Sequence, residues 1–157
     1  FSDFLFYVTF PLLIVSFPYT ALSRERRSRM KYVLSCSAIT LAVALLAAAL
    51  YGFCGPRLLA LMPNGAEYAQ YAYLMPHLTL AAALTSVQVF ATNAEVSVGN
   101  FGFFKWFIPL HAAYAAAFAF AAHLQSFKTP SDILVWFWVV AVARAIFSLM
   151  MIFRSKF

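Results

Sequence analysis

Five long apolar segments follow one another along the chain, separated by short connections that hold most of the charged and turn-forming residues. Each segment is close to the 20 or so apolar residues that a helix needs to cross a bilayer. In lipid, every backbone polar group must be paired internally, so spans this apolar are expected to be helical. The sequence therefore predicts an all-α, polytopic transmembrane helix bundle with five spans, at residues 4–22, 32–53, 68–92, 103–124 and 133–153.

The composition of the chain excludes an ordinary soluble domain. Hydrophobic residues make up 64% of the 157 residues and charged residues only 10%, whereas a soluble domain has about 25% charged residues. The net charge of +6 and the pI near 9.6 raise the question of nucleic-acid binding. Outside one basic connection, however, the basic residues stand singly between apolar spans. We therefore expect the lipid bilayer, and no nucleic acid, as a partner.

The basic residues are concentrated in alternate connections. Five of them fall within residues 23–31, and Arg154 and Lys156 follow the last span, whereas the connections between carry only Arg57 and Lys128. Connections rich in Lys and Arg stay in the cytoplasm. We therefore predict a multi-pass protein of the cell membrane (an inner membrane), with residues 23–31 and the C-terminus cytoplasmic. The odd span count and the start at Phe1 further predict a single bundle, residues 1–157, that is the C-terminal part of a longer transporter.

Arg144 is the sharpest candidate for chemistry, because it lies near the middle of the last predicted span. A charged side chain there costs from about 2.5 to over 10 kcal/mol, depending on the scale. In one interpretation it faces an aqueous cavity and attracts an anionic head group, such as a lipid-linked pyrophosphate. In the other it bonds to backbone carbonyls or a neighbouring helix, or extends toward the inner interface. Its partner is expected from another helix, with Gln88, Asn93 and Tyr114 as the polar candidates.

Gln88, Thr92 and Asn93 form a polar patch toward the inner end of the third span. They either hydrogen-bond between helices or line a passage. The predicted substrate-binding residues are therefore Arg144, Gln88 and Asn93.

The histidines do not predict a metal site. His111 and His123 are twelve residues apart and point about 120° apart on a helix, so one ion cannot bind both. The expected role of each histidine is that of a polar residue near the interface or bonded inside the bundle. No Ser-His-Asp set, Gly-rich phosphate loop or cysteine pair is present. We expect no catalytic residue, no metal and no cofactor, and the protein is not predicted to be an enzyme.

Two further features predict structure. Alanines at small-xxx-small spacing, such as Ala113 and Ala117 or Ala112, Ala116 and Ala119, are typical of faces on which helices approach closely in lipid. Glu95 and Lys105 flank the turn after the third span, and we interpret them as ordinary exposed loop charges.

The order of these features resembles the polysaccharide-flippase branch of the multidrug/oligosaccharidyl-lipid/polysaccharide exporter superfamily. A span containing Phe-Pro leads into a basic segment, "SFPYTALSRERRSRMKY". An external turn, "LMPNGAEY" at residues 61–68, precedes a helix whose end carries a segment of the Gly-aromatic-x-Leu/Phe-Lys type, at residues 99–105. The resemblance implies helices eight to twelve of a twelve-helix transporter whose two ends are cytoplasmic, and a missing N-terminal half as partner.

Two functions from different classes are expected. The first is membrane transport, in which a lipid-linked saccharide with an anionic head group is flipped or exported by alternating access between two helical bundles. The alternative is a small integral membrane scaffold or accessory subunit, packed by its alanine and aromatic faces against other subunits of a larger membrane complex.

Overall fold

The computed structural model of the chain describes residues 2–22, 25–61, 65–124 and 127–154. Over these ranges the chain is almost entirely helical and contains no strand, so the predicted all-α fold class is confirmed. A helix lies at each of the five predicted segments, and a short one precedes the third. The helices are α1 (Ser2–Leu22), α2 (Arg26–Ala60), α3 (Gly65–Tyr68), α4 (Leu74–Ser97), α5 (Phe104–His123) and α6 (Pro130–Arg154).

Four of these helices, α2, α4, α5 and α6, are long and apolar enough to cross a membrane. The apolar part of α1 over Thr9–Leu22 is shorter, and its crossing of the membrane stays a prediction. Large apolar side chains such as Leu46, Phe53 and Ile108 are exposed. A soluble monomer rarely exposes large contiguous apolar patches, whereas lipid-facing helices are expected to do so.

Helix α2 is longer at both ends than the sequence predicts. The prediction that residues 26–31 belong to a connection is wrong, since they form the first turns of α2. Arg, Met and Lys are good helix formers, and no glycine or proline interrupts them. The 35 residues of α2 span about 52 Å, well beyond a hydrocarbon core of about 30 Å. Helix α2 is therefore long enough for its basic first turns to reach the head-group region.

Helix α4 is the centre of the bundle and packs against α1, α2 and α6. Small residues let α2 and α4 approach closely: Ala44 packs with Ala83, and Ala47 and Tyr51 pack with Met75. These pairs make α2 and α4 antiparallel. A third buried cluster joins the start of α2, the end of α4 and the end of α6; it consists of Val33, Cys36, Phe90, Ala91, Ala94 and Ile152.

Helix α5, which is described over its whole length, contains no buried residue. Most of its alanines, including Ala113 and Ala117, are exposed, so the predicted close packing of this face is not formed with any residue that the structure describes. Aromatic contacts tie α5 to α6: Phe118 lies 6.2 Å from Trp136, and Phe103, just before α5, lies 6.5 Å from Phe147, between ring centroids. Small residues permit close approach but do not by themselves bring a partner.

The turn between α4 and α5 corrects the interpretation of Glu95. Gly99 adopts a φ of 74°, and the amides of Gly99 and Asn100 bond back to the carbonyls of Val96 and Glu95. This is the Schellman arrangement, in which glycine avoids the steric penalty of the left-handed conformation. It extends α4 to Ser97 and leaves Glu95 buried, accepting a hydrogen bond from the Asn100 side chain. The prediction that Glu95 is an exposed loop charge is therefore wrong.

Candidate functional site

A cleft of about 900 Å³ lies between α4, α5 and α6. Alanine, methionine, leucine, valine and aromatic side chains form most of its walls. Its polar lining residues are Thr79, Thr85, His111, Tyr114 and Arg144. The volume falls within the range of pockets that hold a small-molecule ligand, about 300 to 1,000 Å³. The cleft is thus a large apolar space with a few polar groups, one of which is a guanidinium.

Arg144 reaches the cleft from the middle of α6. It is half-buried, and its Nε donates a hydrogen bond to Oε1 of Gln88 on α4. Its two terminal nitrogens make no hydrogen bond to any residue that the structure describes. The expectation that another helix supplies the partner of Arg144 is confirmed. Because a guanidinium has five N–H donors and only one is used here, four donors are left for a ligand or water.

Gln88 is buried and connects Arg144 to His111 on α5. The Gln88 Nε2 and the His111 Nε2 are 3.2 Å apart, and the His111 Nδ1 lies 2.8 Å from the carbonyl oxygen of Phe107. A carbonyl only accepts, so Nδ1 carries the imidazole proton and Nε2 accepts from the Gln88 amide. The three side chains therefore form one directional chain of hydrogen bonds across three helices. Stacking of the Phe107 ring on His111, at 4.0 Å between centroids, orients the imidazole further.

The predicted site residues are only partly brought together. Arg144 and Gln88 are bonded, and Tyr114, the third polar candidate, lines the same cleft. Asn93 does not line it. Asn93 follows Gln88 by five residues on α4, which places it more than one turn nearer the end of that helix. The substrate-binding role of all three predicted residues stays a prediction.

His111 is the residue of the site whose role the sequence did not single out. Its expected role, a polar side chain near the interface or bonded inside the bundle, agrees with its bond to Gln88 but misses its position beside Arg144. The signal was available, because an ionisable residue within a span is itself a reason to look for a partner. Trp136 on α6 also lines the cleft.

No protein-family model matches the chain, and neither a curated protein nor a solved structure shows significant similarity to it. Among the described residues, no group of three or more His, Cys, Asp or Glu side chains is placed to hold a metal ion.

Proposed function

We propose that this protein takes part in membrane transport by binding an amphiphilic molecule with an anionic head group, such as a lipid-linked saccharide, and moving it across the bilayer by alternating access. The observation that carries the proposal is the position of Arg144. Its guanidinium is bonded to Gln88 on one side and faces the cleft between α4, α5 and α6 with its free donors.

The charge of Arg144 favours an anionic ligand. None of the residues that line the cleft is a carboxylate, so nothing in the lining neutralises the guanidinium. A cation at mid-span without a counter-ion is costly. The terminal N–H groups of arginine match two oxygens of a phosphate or carboxylate. A bound anion would neutralise the guanidinium and so reduce the free-energy cost of placing its charge at mid-span.

The walls of the cleft favour a ligand with an apolar part. Leu78, Phe118 and Val140 are typical of its lining, and the polar groups are few. An inorganic anion would satisfy Arg144 but leave these apolar walls uncovered. A molecule with a hydrocarbon chain and one anionic head group satisfies both parts of the site, which is the chemistry of a lipid-linked substrate.

The orientation of the chain in the membrane is part of the proposal. The buried cluster that contains Val33 and Ile152 places the start of α2 and the end of α6 at one end of the bundle. The basic residues of both segments thus lie near the same end. We propose that this end is cytoplasmic, because Lys and Arg are retained there. An impermeant thiol reagent applied to intact cells should then label a cysteine at the exposed Gln70 and not one at the exposed Ser28; the reverse pattern would invert the orientation.

Ligand binding tests the site directly, with Trp136 as the reporter. In a variant with Trp106→Phe and Trp138→Phe, Trp136 is the one remaining tryptophan of the three in the chain. A long-chain prenyl phosphate should change its fluorescence saturably, and the corresponding neutral prenyl alcohol should bind much more weakly. Arg144→Gln should weaken phosphate binding about tenfold to a hundredfold, the range for hydrogen bonds to a charged group.

The controls separate the role of Arg144 from a general effect of charge. Arg144→Lys should restore binding only in part, because an ammonium lacks the planar two-pronged contact. Arg57→Gln removes an exposed arginine that does not line the cleft and should leave binding unchanged. Equal affinity of Arg144→Gln and the unmodified protein would contradict the proposed site.

Transport is tested in vesicles that contain a fluorescent prenyl phosphate and the purified protein. The protein should speed the exposure of inner-leaflet label to an impermeant reductant, and Arg144→Ala should abolish this at unchanged levels of inserted protein. Equal rates in vesicles with and without protein would contradict the transport function.

The accessory-subunit function remains the second candidate because of α5. Its alanine face is exposed along the helix, as a surface that packs against another subunit would be. This function predicts that Ala113→Leu together with Ala117→Leu removes the protein from a larger complex on native gels without affecting prenyl phosphate binding. Unchanged migration of the double variant would contradict it.

A further inference from the structure

We propose that His111 makes anion binding in the cleft proton-dependent, with the neutral imidazole holding α5 to Gln88 and the protonated imidazole adding a second positive charge beside Arg144. This inference rests on the proposed anion site and concerns its regulation.

The hydrogen bonds around His111 are compatible with one protonation state. The Nδ1 proton is directed at the carbonyl oxygen of Phe107, 2.8 Å away, and Nε2 accepts from the Gln88 amide. A proton taken up from water at Nε2 would turn that nitrogen into a donor that faces another donor. Rotation of the Gln88 amide does not solve the conflict, because it would turn the NH₂ group toward Nε of Arg144, which also donates.

The groups that line the cleft with His111 define its electrostatic surroundings. Helix α6 presents Arg144, α5 presents Tyr114, and α4 presents the uncharged Gln88, Thr79 and Thr85. In the empty cleft, the positive charge of Arg144 opposes a second positive charge. An anion bound to Arg144 removes that opposition and offers an oxygen to the new Nε2–H. Anion binding and proton uptake should therefore strengthen each other, and this coupling is reciprocal.

The protonation of His111 also weakens the attachment of α5. This helix has no buried residue, and among the described residues its hydrogen bond to another helix in the cleft is the one from Gln88 to His111. When Nε2 is protonated, this bond is lost and Gln88 keeps its bond to Arg144. Protonation of His111 therefore loosens α5, which forms one wall of the cleft, and also adds positive charge to the cleft.

The test uses an alkyl sulfonate, because its charge stays constant over the pH range in which histidine titrates, about pH 5 to 8. With Trp136 as the reporter, the affinity should be about tenfold higher at about pH 5.5 than at about pH 8, a typical size for coupling between two sites. His111→Gln keeps a neutral side chain that accepts from Gln88. It should lose the pH dependence and bind sulfonate with the same affinity at both pH values.

Matched controls come from the other two histidines, His77 and His123, which are exposed and do not line the cleft. His77→Gln and His123→Gln should each retain the full pH dependence. If His111→Gln also retains it, the inference is overturned. If the unmodified protein binds sulfonate equally at both pH values while Arg144→Gln still weakens binding, this inference fails and the proposed anion site stands. If sulfonate binds at neither pH value, both this inference and the proposed anion site are overturned.

A spectroscopic measurement keeps the inference testable where His111→Gln does not fold. In protein with His77→Gln and His123→Gln, the ring ¹⁵N signals come from His111 alone, since the chain has three histidines. At about pH 8, the signals should be those of a neutral ring protonated at Nδ1. Addition of sulfonate at about pH 6 should convert them to the signals of a doubly protonated ring. A ring that stays neutral at saturating sulfonate would overturn the proposal.

Discussion

Helices α4 and α5 are both long and apolar enough to cross a membrane, yet they stand in opposite relations to the rest of the molecule. Helix α4 has buried residues along most of its length and packs against three other helices. Helix α5 has none, and touches the bundle through His111 and aromatic rings. Since lipid tails are as apolar as leucine, apolarity does not decide which helix faces protein. Packing of small residues and a few polar bonds make the difference.

The largest expected effect is the loss of stability caused by a larger side chain in the packed core around α4. Ala91 on α4 is fully buried in the cluster with Val33, Phe90 and Ile152. Ala91→Leu adds volume where no space exists and should lower the free energy of unfolding by about 3 kcal/mol, the upper end for overpacking. Thermal unfolding in detergent measures this. The same change at the exposed Ala117 on α5 should have almost no effect, and equal losses at both positions would contradict the comparison.

A smaller effect is expected from removing the bond that joins the two helices. Gln88→Leu leaves Arg144 without its acceptor and His111 without its donor. Loss of a hydrogen bond to a charged group should destabilise the protein by about 2 kcal/mol. Gln88→Glu retains an acceptor for Arg144 and should therefore lose less stability. Spin labels at the exposed Ala119 on α5 and Val139 on α6 should show a broader distance distribution in Gln88→Leu than in the unmodified protein. An unchanged distribution would show that the aromatic contacts alone hold α5.

The smallest effect is expected at the turn that connects α4 to α5. Gly99 has a φ of 74°, and alanine there should reduce stability by about 1 kcal/mol because of the left-handed backbone. Gly52 is the matched control, because it lies inside α2 with open space where a Cβ would be placed. Gly52→Ala should instead stabilise the protein by about 0.5 kcal/mol. If thermal unfolding showed that both substitutions change the stability in the same direction, the assignment of backbone strain to position 99 would be refuted.

Part of the candidate site was accessible from the sequence. Arg144 stands out at mid-span, since a lone charge in lipid requires a partner, and Gln88 was among the three candidates. Asn93 was predicted with them because it is close in sequence, but a helix turns about 100° per residue, and five residues carry Asn93 away from the cleft lining. His111 was not paired with Arg144, because nothing in the spacing of residues on α5 and α6 reports how far apart those helices lie.

The sequence also contains a local signal for the start of α6 that the prediction of the spans did not include. Thr129 accepts from the amide of Asp132, whose carboxylate accepts from the amides of Thr129 and Lys128. With Pro130 at the first helical position, this is a capping box that begins α6. The sequence prediction instead placed Asp132 in a connection and began the span at residue 133. The residues of this signal are adjacent in the chain, so its recognition does not depend on the tertiary structure.

The sequence by itself determined that the chain forms long apolar helices and no sheet, because only helices satisfy the backbone of such segments in lipid. It also determined that Arg144 needs a polar environment. Only the tertiary structure decided that Gln88 and His111 supply it, that Glu95 is buried and that most alanines of α5 are exposed. The physical reason is that α4 and α5 are apolar around most of their circumference. Their sequences therefore carry little information on which face meets a neighbour, and rotation and separation are decided by packing between helices.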